Sequence, residues 1–123
     1  MIGIEFGDGR RNFHPREQLT VCVEWFFPSA PGQFEVRLLW FTSGKGIADT
    51  TLVERQNVPD PRPYGRQQFT FRLPEAPYSF QGKLIRLEWA VEVSTGRPDE
   101  CQREQFAMSP AAQEIRIGQP DDA

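Results

Sequence analysis

The chain is poor in the residues that most catalytic and nucleic-acid chemistry requires. Its 123 residues include one histidine, two cysteines and two lysines, and its net charge is −3. A nucleic-acid surface needs clustered cations, and Arg10-Arg11 is the only adjacent basic pair, so this class of partner is excluded. No apolar run approaches the ~20 residues of a membrane span, and no signal peptide is recognisable at the N-terminus. We therefore expect a cytoplasmic protein without a membrane span.

The two cysteines are expected to be free thiols. Cys22 alternates out of phase with its apolar neighbours Val21 and Val23, so it should point away from the core that an inter-sheet disulfide would have to cross. Thiols also stay reduced in the cytoplasm. The pattern therefore predicts that Cys22 and Cys101 are not bonded to each other.

The sequence argues against an enzyme and against a cofactor or metal site. His14 is the single histidine, and no Gly-x-Ser-x-Gly elbow is present to supply a nucleophile, so an esterase-like reading has little support. The cysteines and the histidine lack the spacing of zinc ligands. The Ser43–Gly46 segment, SGKG, resembles an anion-binding turn but opens no helix, so we interpret it as a hairpin turn.

Apolar residues alternate with polar ones at period two along most of the chain, and no window shows a helical period. Proline and glycine separate the alternating segments at short intervals, which is typical of all-β proteins. We predict a single domain over residues 1–123, with 117–123 as a loose tail, folded as an antiparallel β-sandwich of about seven to eight strands. The predicted strands are Met1–Phe6, Gln18–Phe27, Gln33–Thr42, Ile47–Asn57, Gln67–Leu73, Lys83–Val93, Glu100–Met108 and Gln113–Ile117.

The alternation also predicts which side chains form the core. Gln18–Phe27 and Gln33–Thr42 are expected to pair as a hairpin, whereas Ile47–Asn57 has the charges of an edge strand. Lys83–Val93 shows the clearest alternation. Inward side chains are expected at Val21, Val23, Trp25, Val36, Leu38, Trp40, Ile85, Leu87, Trp89, Val91 and Val93.

Three segments resemble the arrestin-like family of β-sandwich proteins. Phe13–Val23, FHPREQLTVCV, is similar to the aromatic, proline and acidic pattern that opens a family strand, with arginine in place of the usual glycine at position 16. Val36–Gly46, VRLLWFTSGKG, is similar to a family strand that ends in a small-residue turn. Phe69–Val93 carries the family order of leucine-proline, serine-aromatic and glycine before an alternating strand. The resemblance implies an immunoglobulin-like, arrestin-like β-sandwich and a non-enzymatic, scaffold-like role in protein interaction.

Two surfaces are predicted to contact a partner. The proline-rich segment Val58–Arg66 offers Arg62, Tyr64 and Arg66, and tyrosine and arginine dominate binding energy at interfaces, although we favour its interpretation as a rigid cover for a sheet edge. Leu39 and Phe41, like Phe26, are expected to point away from the core, where such apolar side chains either lie under a loop or form a contact patch. The sites are therefore predicted at Leu39, Phe41, Arg62, Tyr64 and Arg66.

The partner is expected to be another protein or a second copy of the chain. A homodimer would use a terminal edge strand, since Met1–Phe6 and Gln113–Ile117 carry few charges to block strand pairing. The alternative is a small-ligand or carbohydrate-binding module, in which Trp40, Tyr64 and Tyr78 line a pocket between loops.

Overall fold

The computed structural model describes residues 1–97, 100–110 and 115–116. Seven strands of five or more residues account for most of the described chain, and three two-residue strands accompany them. The strands are β1 (Ile2–Phe6), β2 (Asn12–Phe13), β3 (Gln18–Phe26), β4 (Glu35–Gly44), β5 (Ile47–Asn57), β6 (Tyr64–Arg72), β7 (Phe80–Gln81), β8 (Arg86–Ser94), β9 (Cys101–Met108) and β10 (Ile115–Arg116).

The smaller sheet has three strands in the order β1-β3-β6. Both pairs are antiparallel, and β3 pairs along its whole length with β6, from Gln18 opposite Arg72 to Phe26 opposite Tyr64. Strand β3 is therefore the centre of this sheet, while β1 and β6 are its edges.

The larger sheet is built around β4 and β8, which pair antiparallel from Glu35 opposite Ser94 to Ser43 opposite Arg86. Strand β5 pairs with the outer edge of β4, and β9 and β7 pair with the other edge of β8. Two short parallel pairs, β2 with β9 and β10 with β7, add to this sheet. The expected sandwich of two sheets is confirmed.

The inward faces of the two sheets enclose one apolar core. Most of the predicted inward residues lie in it, and Trp89, Val91 and Val93 have no exposed surface at all. The buried cluster comprises Ile4, Phe6, Phe13, Leu19, Val21, Val23, Trp25, Phe27, Phe34, Val36, Leu38, Phe69, Phe71, Leu73, Leu87, Trp89, Val91, Val93, Phe106 and Met108.

Two of the core predictions need correction. Ile85 was expected to face the core but is 37% exposed, because β8 begins one residue later and Ile85 belongs to the preceding loop. Trp40 is only half-buried and packs against the margin of the core rather than within it.

The predicted hairpin of the second and third long strands is wrong. Strand β3 lies in the three-stranded sheet and β4 lies in the larger one, so the connection between them passes from one sheet to the other and is not a hairpin turn. Phe27 and Phe34, at the two ends of this crossing, are both buried. Alternation predicts which side chains of a strand face the core, but it does not predict to which of the two sheets the strand belongs.

The position of β5 as an edge strand agrees with expectation, since it pairs only with β4 in the described residues. A bulge between Leu38 and Leu39 shifts its register, so that Val53 has no direct partner on β4. The side-chain amide of Gln56 donates a hydrogen bond of 2.9 Å to the backbone carbonyl of Thr70 on β6. This contact joins the edges of the two sheets on one side of the sandwich.

Both cysteines are free, as predicted. Cys22 is on the outer face of β3 and Cys101 is at the start of β9, in the other sheet. Over the described ranges, helical structure is limited to one 3₁₀ turn at Gly7–Gly9. Those ranges contain no helix that is long and apolar enough to cross a membrane.

Candidate interaction surfaces

The segment between β5 and β6 is fixed to the core by Trp25. Its indole Nε1–H donates a hydrogen bond of 2.9 Å to the backbone carbonyl of Arg62, and its ring lies 4.4 Å from that of Phe34. The amide of Phe27 donates a second bond, of 2.7 Å, to the carbonyl of Pro63. Three prolines already restrict the backbone of this segment, so its end is held in one position relative to β3.

Strand β6 starts immediately after the last of these prolines, at Tyr64 rather than at the predicted Gln67. Gly65 makes this early start possible, because a Cβ at that position would lie 2.5 Å from the Trp25 ring. The absent side chain leaves room for the indole under β6. Tyr64 and Arg66, which were predicted to lie in a loop, are therefore part of the three-stranded sheet.

Three apolar side chains form a row across the outer face of that sheet, at the end where β6 begins. Phe26 and Tyr64 are directly paired and are 61% and 62% exposed. Met1, 69% exposed, lies beside Phe26, and their backbones exchange hydrogen bonds of 2.8 and 2.9 Å. We call Met1, Phe26 and Tyr64 the aromatic row. It borders a shallow, open depression of about 450 Å³.

The next row on the same face is charged. Glu24 and Arg66 are paired across β3 and β6, and both line the depression. The guanidinium Nε of Arg66 donates a 3.1 Å hydrogen bond to the sulfur of Cys22, which fixes the direction of the arginine. Exposed aromatic rings are thus bordered by one carboxylate and one guanidinium, the arrangement of an apolar contact with a polar rim.

The second predicted surface, Leu39 and Phe41 on β4, is largely closed. Leu39 points away from the core cluster, as expected, but its exposed fraction is 2%. The guanidinium of Arg103 lies 4.9 Å from the centre of the half-buried Phe41 ring and is held there by two hydrogen bonds to Glu92, of 2.8 and 3.1 Å. Leu39 is therefore a covered outward side chain, and it offers no exposed apolar surface to a partner.

The same network continues along the outer face. Arg37 donates a 2.8 Å hydrogen bond to Glu35 and approaches Glu92 at 3.4 Å. The hydrogen bond that Arg37 donates to Glu35 raises the pKa of the guanidinium above its usual value, so this group stays charged. Long charged side chains flank Leu39 on the outer face and shield apolar surface there from water.

The structure thus brings together only some of the predicted contact residues. Tyr64 and Arg66 are neighbours on one face, and Arg62 lies just before them, whereas Leu39 and Phe41 are in the other sheet. Phe26 was recognised as outward-facing from the alternation, but its place beside Tyr64 was not foreseen. That pairing follows only once β3 and β6 are known to be neighbours.

The aromatic pocket of the alternative hypothesis does not form. Tyr64 is at the end of the sandwich where β6 begins, and Tyr78 lies in the connection after β6, at the opposite end. Trp40 packs against the core. These three residues do not line a common pocket.

His14 occupies a structural position. Its backbone amide donates a 2.9 Å hydrogen bond to Glu17, and its ring Nδ1 is 3.1 Å from the carbonyl of Pro110, to which it donates. Within the described part of the chain, no group of three or more histidine, cysteine or acidic side chains is placed to hold a metal ion.

Comparison with known proteins supports the fold and leaves the family open. No family model matches the chain, and no curated protein matches it. Among solved structures, the crystal structure of Spo0M, a sporulation control protein from Bacillus subtilis, is similar with a TM-score of 0.57 and 18% sequence identity. The match covers 88% of this chain and 48% of that one, so this chain spans about half the length of Spo0M. At this identity the likeness concerns the fold, and it supports the arrestin-like sandwich that the sequence motifs indicate.

Proposed function

We propose that this chain is a non-catalytic protein-interaction module, and that it contacts its partner through the aromatic row. The observation that carries the proposal is the cross-strand pair Phe26 and Tyr64, which exposes two large rings side by side on a fixed support. Large apolar side chains that stay exposed beside each other, with charged neighbours, are a mark of contact surfaces. The arrestin-like fold, shared with a sporulation control protein, is consistent with a regulatory or scaffold role.

The rigidity of the support favours binding. Trp25 anchors the segment that precedes Tyr64, and Tyr64 itself lies in a ladder with β3. Fixed rings lose little conformational entropy when they are covered by a partner. Tyrosine and arginine also carry much of the energy at measured interfaces, which gives Tyr64 and Arg66 the central part of this contact.

A stable interface buries at least about 1,000 Å² in total, more than the aromatic row provides alone. The partner therefore also covers the adjoining charged row of the same sheet, Glu24 and Arg66, and does not reach the far end of β6. That partner is another protein or a second copy of the chain.

The test is site-specific photo-crosslinking in cells that express the full chain. A photoreactive amino acid at position 26 should give one discrete crosslinked species, whose mass distinguishes a second copy from a different protein. The matched control is position 70, which is exposed on the same face at the other end of β6. Tyr64→Asp should abolish the species obtained from position 26. A species of equal yield from position 70, or one that survives Tyr64→Asp, would show that the aromatic row is not the contact.

A further inference from the structure

Both lysines of the chain lie at the end of the sandwich opposite to the aromatic row. Lys45 occupies the turn after β4, which ends at Gly44, and Lys83 lies in the loop before β8, which starts at Arg86. The turn and the loop touch, because a Cβ on Gly44 would lie 1.9 Å from the carbonyl oxygen of Leu84. We call residues 43–46 and 82–85 together the basic tip.

The two lysines differ from most of the arginines in that they form no ion pairs with the described residues. Within the part of the chain that the structure describes, eight arginines form ion pairs with carboxylates, namely Arg10, Arg11, Arg16, Arg37, Arg55, Arg86, Arg97 and Arg103. Lys45 and Lys83 are exposed, and neither forms an ion pair or a side-chain hydrogen bond with any residue that the structure describes. Their charges are therefore available to a ligand.

The backbone places Lys45 at the extreme of the tip. Lys45 and Gly46 have positive φ values of 48° and 77°, as the two central residues of a type I′ hairpin turn require. Glycine, asparagine and aspartate are the usual residues at such positions, and lysine is unfavourable there. A positive charge is thus presented at the point of the hairpin where glycine, asparagine or aspartate would fit the backbone better.

Exposed apolar side chains lie between the two lysines. Leu84 is 56% exposed and Ile85 is 37% exposed, beside an open cleft of about 370 Å³. The basic tip contains no acidic residue. Glu88, the first carboxylate after the loop, is engaged 3.5 Å from Arg86.

We propose that the basic tip docks on an anionic lipid bilayer, with Leu84 and Ile85 entering the headgroup region while Lys45 and Lys83 contact lipid phosphates. A soluble anion would use the two cations but would leave both apolar side chains in water. A membrane interface accommodates both kinds of group, since it accepts apolar side chains and attracts lysine to its negative surface potential. This role is separate from the protein contact at the opposite end of the sandwich.

The binding is weak and reversible. Each lysine near an anionic surface strengthens binding about fivefold, and two half-exposed apolar side chains add a comparable factor. Screening by salt acts on distances of about 10 Å, so raising ionic strength should release the protein. Attachment of this strength localises a protein only when a second contact, such as a membrane-associated partner, acts with it.

The experiment is co-sedimentation of the full chain with vesicles of phosphatidylcholine, with and without phosphatidylglycerol as the anionic lipid. The protein should partition to the anionic vesicles and not to the neutral ones. Lys45→Gln and Lys83→Gln should each lower the partition coefficient about fivefold. Leu84→Ser should lower it without changing its dependence on salt. Matched controls at the opposite end, Arg62→Gln and Phe26→Ser, should leave the binding unchanged.

Three results would overturn the proposal: equal binding to neutral vesicles, unaltered binding of both lysine variants, or no binding to anionic vesicles at low salt. Inorganic phosphate at equal ionic strength serves as a competitor. Phosphate that displaces the protein more strongly than chloride would assign the basic tip to a soluble anion instead of a membrane. Because Phe26→Ser tests the protein contact alone, failure of either proposal is seen independently of the other.

Discussion

Trp89 offers the sharpest test of the core. It is fully buried on β8, its ring lies 6.0 Å from that of Phe106, and its Nε1–H donates a 2.8 Å hydrogen bond to the carbonyl of Pro77. Trp40 is directly opposite on β4 but is only half-buried, and none of the described residues accepts a hydrogen bond from its indole. The two tryptophans therefore form a matched pair that differs in burial and in hydrogen bonding.

Trp89→Ala removes the whole ring and should lower the free energy of unfolding by about 3–5 kcal/mol, the usual cost of deleting a large buried aromatic side chain. Trp89→Phe keeps most of the apolar volume but leaves the carbonyl of Pro77 without its donor. This hydrogen bond is part-buried, so its loss should cost about 1 kcal/mol, to which the cavity left by the smaller ring is added, and the variant should fall between wild type and Trp89→Ala. Trp40→Phe breaks no hydrogen bond to any residue that the structure describes, so it should lower the free energy of unfolding by less than about 1 kcal/mol.

The assay is urea unfolding followed by far-ultraviolet circular dichroism, which is independent of the number of tryptophans. Stabilities should decrease in the order wild type, Trp40→Phe, Trp89→Phe and Trp89→Ala, with similar denaturant slopes. If Trp89→Phe is no less stable than Trp40→Phe, the hydrogen bond to Pro77 contributes nothing and the reasoning fails. If Trp89→Ala loses less than about 1 kcal/mol, Trp89 does not belong to a close-packed core.

Two further predictions concern acid stability and self-association. The hydrogen bond from Arg10 lowers the pKa of Glu17, so ionised Glu17 stabilises the fold above its unfolded pKa of about 4.3, and this stabilisation is lost as the pH falls through the lower folded value. In urea titrations, wild type should be more stable than Glu17→Gln by at most about 1 kcal/mol, and the difference should shrink below pH ~4. A difference that stays constant with pH would contradict the assignment. If the chain forms a homodimer through the edge of β1 that is not paired with β3, Ile2→Pro should weaken the dimer, as measured by light scattering, without unfolding the sheet. Met1 and Phe26 exchange both backbone hydrogen bonds, so the amide of Ile2 points away from β3 and is not needed within the sheet. A wild type that stays monomeric at high concentration would exclude this dimer.

The parts of the fold that could be predicted are those in which local alternation and burial agree. Val21, Val23, Val91 and Val93 are all fully buried, as period-two patterning indicates. Strands with one apolar face have to stack on each other, so the sandwich itself also follows from the pattern. The charges on Ile47–Asn57 correctly indicated an edge strand.

The errors arise where position depends on distant residues. The break in register between β4 and β5 at Leu38 and Leu39 is invisible in either strand alone. Ile85 fits the alternation of β8 but precedes it, since the paired region ends at Ser43 opposite Arg86. In both cases tertiary pairing decides an outcome that the local pattern leaves open.

The candidate site, like the fold, was predicted in its local features and not in the contacts between distant residues. Residue type alone identified Tyr64 and Arg66, and alternation showed that Phe26 points outward. Their convergence depends on Trp25, whose hydrogen bond to Arg62 and contact with Gly65 bring the start of β6 against β3. No short-range signal in the sequence links a tryptophan to a backbone carbonyl 37 positions away.

The contact of Gly44 with the Leu84 carbonyl also bears on how this protein can change over time. Because the turn after β4 and the loop before β8 meet without space for a side chain, neither can lengthen or shift by itself. In related sequences, glycine should persist at this position, and insertions in the two segments should occur together or not at all. For protein engineering, the two segments should be transferred together. Either segment grafted alone onto another sandwich would lose the contact that fixes its backbone conformation.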